Sequence, residues 1–438
     1  MSTVALVVLD TLRKDFFDEY FDWLPGLRFE RAYSTANWTA PAHASLFTGL
    51  YPSEAGTHAK SPSLDSSRPV LAELAREAGY RTRCWTANPV LSKQRQFDRG
   101  FEQFLDRTRL SGDDDATLVD WSSYPSGHAG DYSGWAKTAL RCFAREYDTV
   151  ASLRHGWRLA RRNGESSASV PDDGARSILD RIRRTDFGED EFLFVNLMET
   201  HTPYYPPPSF RRVEAEVSVT TEHALGLNEP HRGARQAYQG AVEYLAAIYE
   251  RIFEELHAEF DYVVTLSDHG EMLGENGLWN HTHGLYPELT HVPLVLSGSD
   301  LGERTAATVS LLDVHRTVLD VLGIDGESRG RNLLDDREGR CSLAEYHGFV
   351  PIAAERLAER NATAELRRYD ERLCALAAPV DYYGYETTDG YREQGSTTLD
   401  PRHTLTRLQR SIHERSVDPS HVDLSEATVD QLRDLGYV

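Results

Sequence analysis

The chain has 438 residues, enough for a large hydrophobic core and for either one big domain with an appendage or two unequal domains. Its formal net charge of −22 at pH 7 argues against nucleic-acid binding, because phosphate groups repel such a surface. Only four of its basic residues are lysines. An acid excess with so little lysine is typical of salt-adapted, haloarchaeal-type proteins, although GC-rich codon usage would also favour arginine.

Three further features bear on the compartment. The four cysteines are far apart and form no Cys-x-x-Cys pair, which argues against a zinc ribbon and against a dense disulfide framework. No stretch reaches the roughly 20 apolar residues of a membrane span. The first apolar run, Val4–Leu9, is too short for a signal peptide and lacks a basic start. These features predict a cytoplasmic protein.

Apolar runs alternate with amphipathic segments along most of the chain. The runs predict buried strands at Val4–Leu9, 29–33, 81–87, 192–198, Tyr262–Leu266 and 292–296. Helices are predicted from near Leu12 and at 41–47, 69–79, 174–185, 233–260 and 309–322. This rhythm predicts an α/β fold with a mostly parallel sheet flanked by helices.

The remaining segments interrupt or follow this pattern. Helical periodicity in 107–170 predicts an insertion, either a lid or substrate-selecting element or a purely structural excursion. The turn-rich stretch 323–336 predicts that a catalytic domain spans 1–335. Residues 336–438 predict a smaller C-terminal α+β subdomain, with strands at 341–346, 373–378 and 382–386 and a final amphipathic helix at 424–437.

Acidic and imidazole side chains directly follow two of the predicted strands. Asp10 follows Val4–Leu9, and Asp268 and His269 follow Tyr262–Leu266. Ligands bind at the carboxyl ends of strands in an open α/β sheet, where these side chains are expected to meet. An aspartate oxygen beside a histidine nitrogen forms half of a site for a divalent metal ion.

Two more polar residues are candidates for the same site. Thr39 lies just before a helix whose Pro41 suits the first helical turn, and His201 follows the strand at 192–198. Taken alone, Thr39 fits a helix N-cap and His201 a surface histidine. Their occurrence beside the other strand ends favours a functional site.

Several segments together resemble, in order, motifs of the sulfatase family of the alkaline phosphatase superfamily. The resemblance runs through most of the chain and implies that family's fold. It rests on LDTLR (9–13), PAHASLFTGLYP (41–52), AGYRT (78–82), RGF (99–101), HTP (201–203), SDHGE (267–271), GENGLW (274–279), HVPL (291–294) and LRDLGY (432–437).

The chain departs from the family at the nucleophile. Sulfatases carry Cys or Ser in Cys-x-Pro-Ser-Arg, which is oxidised to formylglycine, whereas the matching run here is TAPAH at 39–43. Threonine cannot become formylglycine. His43 stands at the family's Arg, and Thr11 at its second leading Asp. A threonine nucleophile with one metal is similar instead to lipoteichoic acid synthases and phosphoethanolamine transferases, which transfer phosphoryl-linked groups.

The resemblance implies one divalent metal ion held by four residues. The implied ligands are Asp10, Thr39, Asp268 and His269. This mixture of oxygen and nitrogen favours Zn²⁺ or Mn²⁺, with Ca²⁺ or Mg²⁺ as alternatives. The metal would lower the pKa of the Thr39 hydroxyl, a poor nucleophile at neutral pH, and so prepare it to form a covalent intermediate.

Four histidines are implied as substrate contacts. His201 and His281 would contact the non-bridging oxygens of the ester or protonate its leaving group, with His281 at the place of a sulfatase Lys. His43 and His283 would be auxiliary substrate-binding donors, or no more than packing residues.

The sequence therefore predicts metal-dependent hydrolysis or transfer of a phosphate or sulfate ester, with phosphoryl chemistry favoured. One alternative is a true sulfatase that uses unmodified Thr39. Another is a catalytically silent, metal-stabilised binding protein on the same fold. The predicted substrate is a small-molecule, glycan-linked or lipid-linked ester, whose identity the sequence leaves open along with the oligomeric state.

Overall fold

The computed structural model describes residues 2–110, 149, 152, 174–230, 232–299, 301–336, 338–360 and 362–417. Most of the predicted insertion at 107–170 and all of the predicted helix at 424–437 lie outside these residues. Within them, no helix combines the length and the apolar character needed to cross a bilayer.

The strands alternate with helices along the first part of the chain. The strands are β1 (Val4–Leu9), β2 (Leu27–Tyr33), β3 (Arg81–Thr86), β4 (Gln103–Leu105), β5 (Glu191–Leu197), β6 (Tyr262–Leu266), β7 (Met272–Leu273), β8 (Trp279–Asn280), β9 (His291–Val292), β10 (Leu294–Ser297), β11 (Arg304–Ser310), β12 (Ser342–His347), β13 (Arg372–Ala378), β14 (Tyr382–Thr387) and β15 (Gly390–Gln394). The helices are α1 (Lys14–Tyr20), α2 (Thr39–Thr48), α3 (Pro52–Ala55), α4 (Leu71–Glu77), α5 (Arg107–Leu110), α6 (Ala175–Ile182), α7 (Thr221–Ala224), α8 (Ala234–Glu259), α9 (Pro287–Thr290), α10 (Leu311–Val321), α11 (Pro351–Glu359), α12 (Thr363–Tyr369) and α13 (Pro401–Ser411).

The main sheet confirms the predicted mostly parallel α/β fold. Its strands lie in the order β11-β2-β10-β6-β1-β5-β3-β4, and β1, which is fully buried, pairs in parallel with both β5 and β6. Val4 lies opposite Phe192 on one side and Tyr262 on the other. Because the three strands start level and run the same way, the residues that follow them emerge at one edge.

The predicted strand at 292–296 differs from the observed structure. Pro293 separates two pieces, β9 and β10, because proline has no N–H to give to a sheet ladder. β10 runs antiparallel to both β6 and β2. β11, which lies at the sheet edge parallel to β2, was not predicted, since its first residues are polar and its apolar run is short.

A second sheet forms the C-terminal part of the described chain. β12, β13, β14 and β15 pair in this order, all antiparallel. The first three match the predicted strands, whereas the exposed β15 carries no apolar run. Ser53, just after α2 in the chain, donates hydrogen bonds from N (3.0 Å) and Oγ (2.8 Å) to the carboxylate of Glu345 on β12. The C-terminal sheet therefore packs beside the helix that carries Thr39. The predicted domain boundary at 335 stays a prediction.

Candidate catalytic and metal site

Three predicted metal ligands meet at the edge of the main sheet. Asp10 follows β1, and Asp268 and His269 follow the neighbouring β6. One ligand atom from each of the three lies within 4.8 Å of the other two, and all three residues are fully buried. The parallel pairing of β1 with β6 places these side chains together, as the strand-end pattern predicts.

The free lone pairs of these residues converge. His269 Nδ1 donates to the carbonyl of Gly270 at 2.9 Å, so Nε2 carries no proton in the neutral ring. Nε2 faces Asp268 Oδ2 at 3.4 Å and Asp10 Oδ1 at 3.8 Å. Among the described residues, neither of these two buried oxygens has a hydrogen-bond partner. Two unsatisfied carboxylate oxygens and an imidazole nitrogen form the donor set that a divalent cation requires, so the residues fit a metal ion.

Electrostatics supports the same conclusion. Burial, with the nearby Asp268 carboxylate as a second cause, raises the pKa of Asp10 to about 7. Burial also raises the pKa of Asp268 to about 7, although hydrogen bonds to its carboxylate oppose the shift. Burial lowers the pKa of His269 and so favours the neutral, ligating ring. Two buried carboxylates need compensating positive charge to stay ionised, and a bound cation would supply it.

Thr39 faces this cluster from the start of α2. The helix begins at Thr39 itself, two residues before the predicted start, and Trp38 is the N-cap. Thr39 Oγ1 lies 3.4 Å from His269 Nε2 and accepts a hydrogen bond from Asn88 Nδ2 at 3.3 Å. The first turn of a helix carries positive partial charge, which stabilises an anion. The position therefore favours an ionised Thr39 oxygen.

Sequence reasoning missed two asparagines that hold Asp10. Asn88 Nδ2 donates to Asp10 Oδ2 at 2.7 Å, and Asn196 Nδ2 donates to the same oxygen at 3.2 Å. They fix the carboxylate so that Oδ1 points to His269. Asn88 lies two residues past β3 and Asn196 near the end of β5, so the strand-end rule that found Asp10 applies to them as well.

His201 and His281 lie against the cluster, and their role as substrate contacts stays a prediction. Their ring centroids are 5.0 Å apart, and that of His281 is 4.5 Å from His269. His201 Nδ1 donates to the carbonyl of Thr202 at 2.7 Å. Burial lowers the pKa of both rings, and the neighbouring histidine lowers each further, so both are neutral at pH 7 without a bound anion.

A buried chain of hydrogen bonds orients His281. Its Nδ1 lies 3.2 Å from Oε1 of Glu271, whose Oε2 accepts from the Tyr204 hydroxyl at 3.0 Å. Burial raises the pKa of Glu271 to about 8. With Nδ1 held by Glu271, His281 has only Nε2 to offer to a substrate. Glu271 and Tyr204 were not identified as site residues from the sequence. Each lies several residues beyond the end of its strand, β6 and β5.

The other two histidines have different positions. His43 is fully buried, and its Nδ1 donates to the carbonyl of Thr39 at 2.9 Å and lies 3.5 Å from Asp268 Oδ2. Its ring packs edge-on against Phe194 of β5, and burial lowers its pKa to about 3. His43 thus contacts Thr39 and Asp268 from the side on which Phe194 of β5 lies. The structure does not bring His283 into the cluster. Its substrate-binding role, like that of His43, stays a prediction.

The backbone beside the ligands is tightly constrained. Thr11, directly after Asp10, has φ of 59°, a left-handed conformation that costs a non-glycine residue free energy. The Tyr238 hydroxyl stabilises this turn by donating to the carbonyl of Thr11 at 2.9 Å. Gly270 is needed for close approach, since a Cβ there would lie 2.0 Å from the carbonyl oxygen of Glu288. Crowding therefore requires a glycine at this position.

A mostly parallel sheet with this buried cluster at its strand ends is the architecture of the alkaline phosphatase superfamily of ester hydrolases. The chain belongs to the sulfatase family, whose model matches residues 4–324.

Comparison with individual proteins supports this assignment. The chain is similar to the low-salt glycan biosynthesis sulfotransferase of Haloferax volcanii, with 27% identity over 284 residues that cover 54% of this chain and 66% of that protein. It is also similar to choline-sulfatase of Rhizobium meliloti, with 25% identity over 342 residues, or 68% of this chain and 61% of that protein. The chain thus spans about two thirds of the length of these relatives.

A solved structure has the same fold. The phosphonate monoester hydrolase of Agrobacterium radiobacter superposes with a TM-score of 0.60, covering 99% of this chain and 95% of its own, at 16% identity. At this identity the likeness supports the fold and leaves the substrate open.

Proposed function

We propose that this protein cleaves phosphate-type esters, including phosphonate esters, through a covalent intermediate on Thr39. The observation that carries the proposal is the position of Thr39 Oγ1, 3.4 Å from His269 Nε2 at the start of α2. The residue that would become formylglycine in a sulfatase is here a threonine, whose oxygen is suited to attack phosphorus directly.

The cluster prepares Thr39 for attack. Asp10, Asp268 and His269 would hold one divalent ion, with Zn²⁺ or Mn²⁺ favoured by the mixed donors. When bound, the ion would lower the pKa of the Thr39 hydroxyl and polarise the ester. Asn88 donates to both Asp10 and Thr39 and so fixes the distance between nucleophile and carboxylate.

The reaction has two balanced steps. In the first, the Thr39 oxygen attacks phosphorus, a Thr39–phosphorus ester forms, and the bond from phosphorus to the alcohol oxygen breaks. The departing alcohol gains a proton equivalent to the one that Thr39 loses, with His201 or His281 as the carrier. In the second, water attacks phosphorus, which releases the phosphorus acid and returns a proton to Thr39. If another alcohol replaces water, the result is transfer.

The two histidines suit a dianionic substrate. Both are buried and neutral in the free protein. An anionic ester beside them favours their protonated forms and opposes the effect of burial. His281, held by Glu271 through Nδ1, would then direct an Nε2–H towards the ester.

Cleavage of sulfate esters by the same unmodified Thr39 is the second candidate. The match to the sulfatase family over residues 4–324 favours it, as does the likeness to a sulfotransferase and a choline-sulfatase. Sulfate monoesters carry one negative charge where phosphate monoesters carry two, so the pair of protonatable histidines suits phosphate better.

The test compares esters that share one alcohol, 4-nitrophenol, and differ in the acid. The purified protein, loaded with Zn²⁺ or Mn²⁺, is assayed with the 4-nitrophenyl phosphate monoester, the phosphate diester, the phosphonate ester and the sulfate ester, with and without chelator. We expect the phosphate monoester, the one dianion of the set, to be cleaved fastest and chelator to stop turnover. A metal-loaded protein that cleaves no ester would favour the silent binding protein.

Substitutions in α2 test whether Thr39 is the nucleophile. Thr39→Ala should abolish turnover but leave the fold and most metal binding intact, whereas Thr39→Ser should retain part of the activity. Thr48→Ala is the matched control, since Thr48 is the last residue of the same helix and its Oγ1 donates to Ala44 O and accepts from Leu50 N. Phosphorus-labelled substrate should label wild-type protein on Thr39. Wild-type rates in Thr39→Ala would refute the assignment.

A further inference from the structure

A tight turn follows β1 and contains the candidate metal ligand Asp10. Leu12 N donates to the carbonyl of Leu9 at 3.3 Å, so Asp10 and Thr11 form the corner of a four-residue turn. Thr11, the third residue of the turn, has φ of 59°. A turn with a left-handed third residue normally has glycine or asparagine there, because a β-branched side chain disfavours this conformation. The turn is therefore costly unless contacts from elsewhere hold it.

The hydroxyl of Tyr238, on α8, provides such contacts. It donates to the carbonyl of Thr11 at 2.9 Å and accepts from the N–H of Arg13 at 3.0 Å. All three residues are buried, so water could not replace the hydroxyl without a rearrangement, and both backbone groups would lose their partner. A single hydroxyl thus ties both sides of the turn to a distant helix.

The conformation of the turn affects how the candidate metal ligands are aligned. Oδ1 of Asp10 faces His269 Nε2 at 3.8 Å. Burial raises the pKa of Asp268, and the backbone N–H of Thr11 is among the groups that oppose this shift, so it faces the Asp268 carboxylate. A change of φ at Thr11 would rotate the peptide groups beside it and shift Asp10 relative to the two ligands that follow β6.

We propose that Tyr238 is a positioning residue for the metal centre, and that its hydroxyl holds Thr11 in the left-handed conformation that aligns Asp10 with the ligands after β6. The inference rests on the metal-binding part of the proposed function and is independent of ester cleavage. It assigns a role in metal affinity to α8, a helix that contains neither the candidate metal ligands nor the substrate-contacting histidines.

The first test removes the hydroxyl alone. Tyr238→Phe is compared with Tyr249→Phe, because Tyr249 lies on the same helix, is fully buried and forms its hydroxyl hydrogen bond with Thr265 Oγ1, within β6. Competition with a chromophoric chelator measures the affinity of the metal-free full chain for Zn²⁺ and for Mn²⁺. Tyr238→Phe should bind about ten-fold more weakly than wild type, and Tyr249→Phe within about two-fold of wild type. Equal affinities of the two variants, or a wild-type chain that binds neither ion, would overturn the proposal.

The second test asks whether Tyr238 acts through the turn. Glycine adopts positive φ without the steric cost of a β-branched side chain. Adding Thr11→Gly to Tyr238→Phe should therefore restore metal affinity to within about three-fold of wild type. If the tyrosine only stabilised the fold, the double variant would bind no better than Tyr238→Phe, because glycine adds conformational freedom to the unfolded chain. The absence of any recovery would overturn the proposal.

Ester cleavage distinguishes this inference from the proposed function. If the affinities follow the expected pattern but metal-loaded wild type cleaves no ester, the proposed function fails and the role of Tyr238 stands. If wild type cleaves esters in a metal-dependent way but Tyr238→Phe keeps wild-type metal affinity, the role of Tyr238 fails and the proposed function stands.

Discussion

Glu345 links the C-terminal sheet to the segment that follows α2, and its ionisation should control the stability of that link. Its side chain is fully buried and accepts hydrogen bonds from Ser53 and, at 2.7 Å, from Arg372. Burial by itself would raise its pKa, but His347, 3.7 Å away, and Ser53 outweigh burial and lower the pKa from 4.5 to about 2.

The shift sets the magnitude and its pH window. A fall in pKa from 4.5 to about 2 corresponds to roughly 3 kcal/mol of stability at neutral pH. Because the folded pKa is the lower one, this contribution is complete above pH 4.5 and is lost as the pH falls towards 2. Glu345→Gln should therefore reduce the free energy of unfolding by about that amount at pH 7, and by much less near pH 2.

Urea unfolding of wild type and Glu345→Gln between pH 2 and 7 at fixed salt measures this difference. The control is Glu371→Gln, an exposed carboxylate just before β13, which should change stability by less than about 0.5 kcal/mol at any pH. If the difference between wild type and Glu345→Gln is the same at both ends of the pH range, the electrostatic reasoning is wrong and the residue acts only through packing.

Three further predictions concern the site and the surface. Asp268→Asn should weaken metal binding at least ten-fold and reduce activity with it, and full metal content in the purified variant would contradict the assigned ligand. Glu271→Leu should lower kcat ten-fold or more, because His281 loses its orienting partner, while elemental analysis shows unchanged metal. With a net charge of −22, the thermal midpoint should rise from low to molar KCl as the Debye length falls from about 10 to about 3 Å, and a constant midpoint would remove the salt-adaptation hypothesis.

The grouping of the candidate metal ligands could be predicted because two physical signals coincide. Buried apolar runs identify β1 and β6 in the sequence, and parallel strands must deliver Asp10, Asp268 and His269 to one edge. Thr39 was a candidate from its position before a predicted helix, and the resemblance to sulfatases implied its role as nucleophile. The direction of a strand could not be predicted from the sequence, because an apolar run has the same pattern in a parallel and in an antiparallel strand. The antiparallel orientation of β10 was therefore not predicted.

The environment of the cluster depended on contacts between distant parts of the chain. The 78 positions between Asn88 and Asp10 and the 67 between Tyr204 and Glu271 leave no local pattern. His283 was predicted, like His43, to be either an auxiliary substrate-binding donor or a packing residue. Its ring packs on Tyr369 of the C-terminal region, although His281, two residues earlier, lies against the cluster. Sequence proximity places residues on the same loop but does not decide which way each side chain points.

The contact between Ser53 and Glu345 has a consequence for how the two parts of the chain could diverge. The family match ends at residue 324, whereas the antiparallel sheet that carries Glu345 lies beyond it. The candidate metal ligands and that sheet thus occupy separate stretches of the chain, joined through Ser53 and Glu345. Chimeras that exchange the segment after β12 while keeping Glu345 should therefore retain metal binding at Asp10, Asp268 and His269.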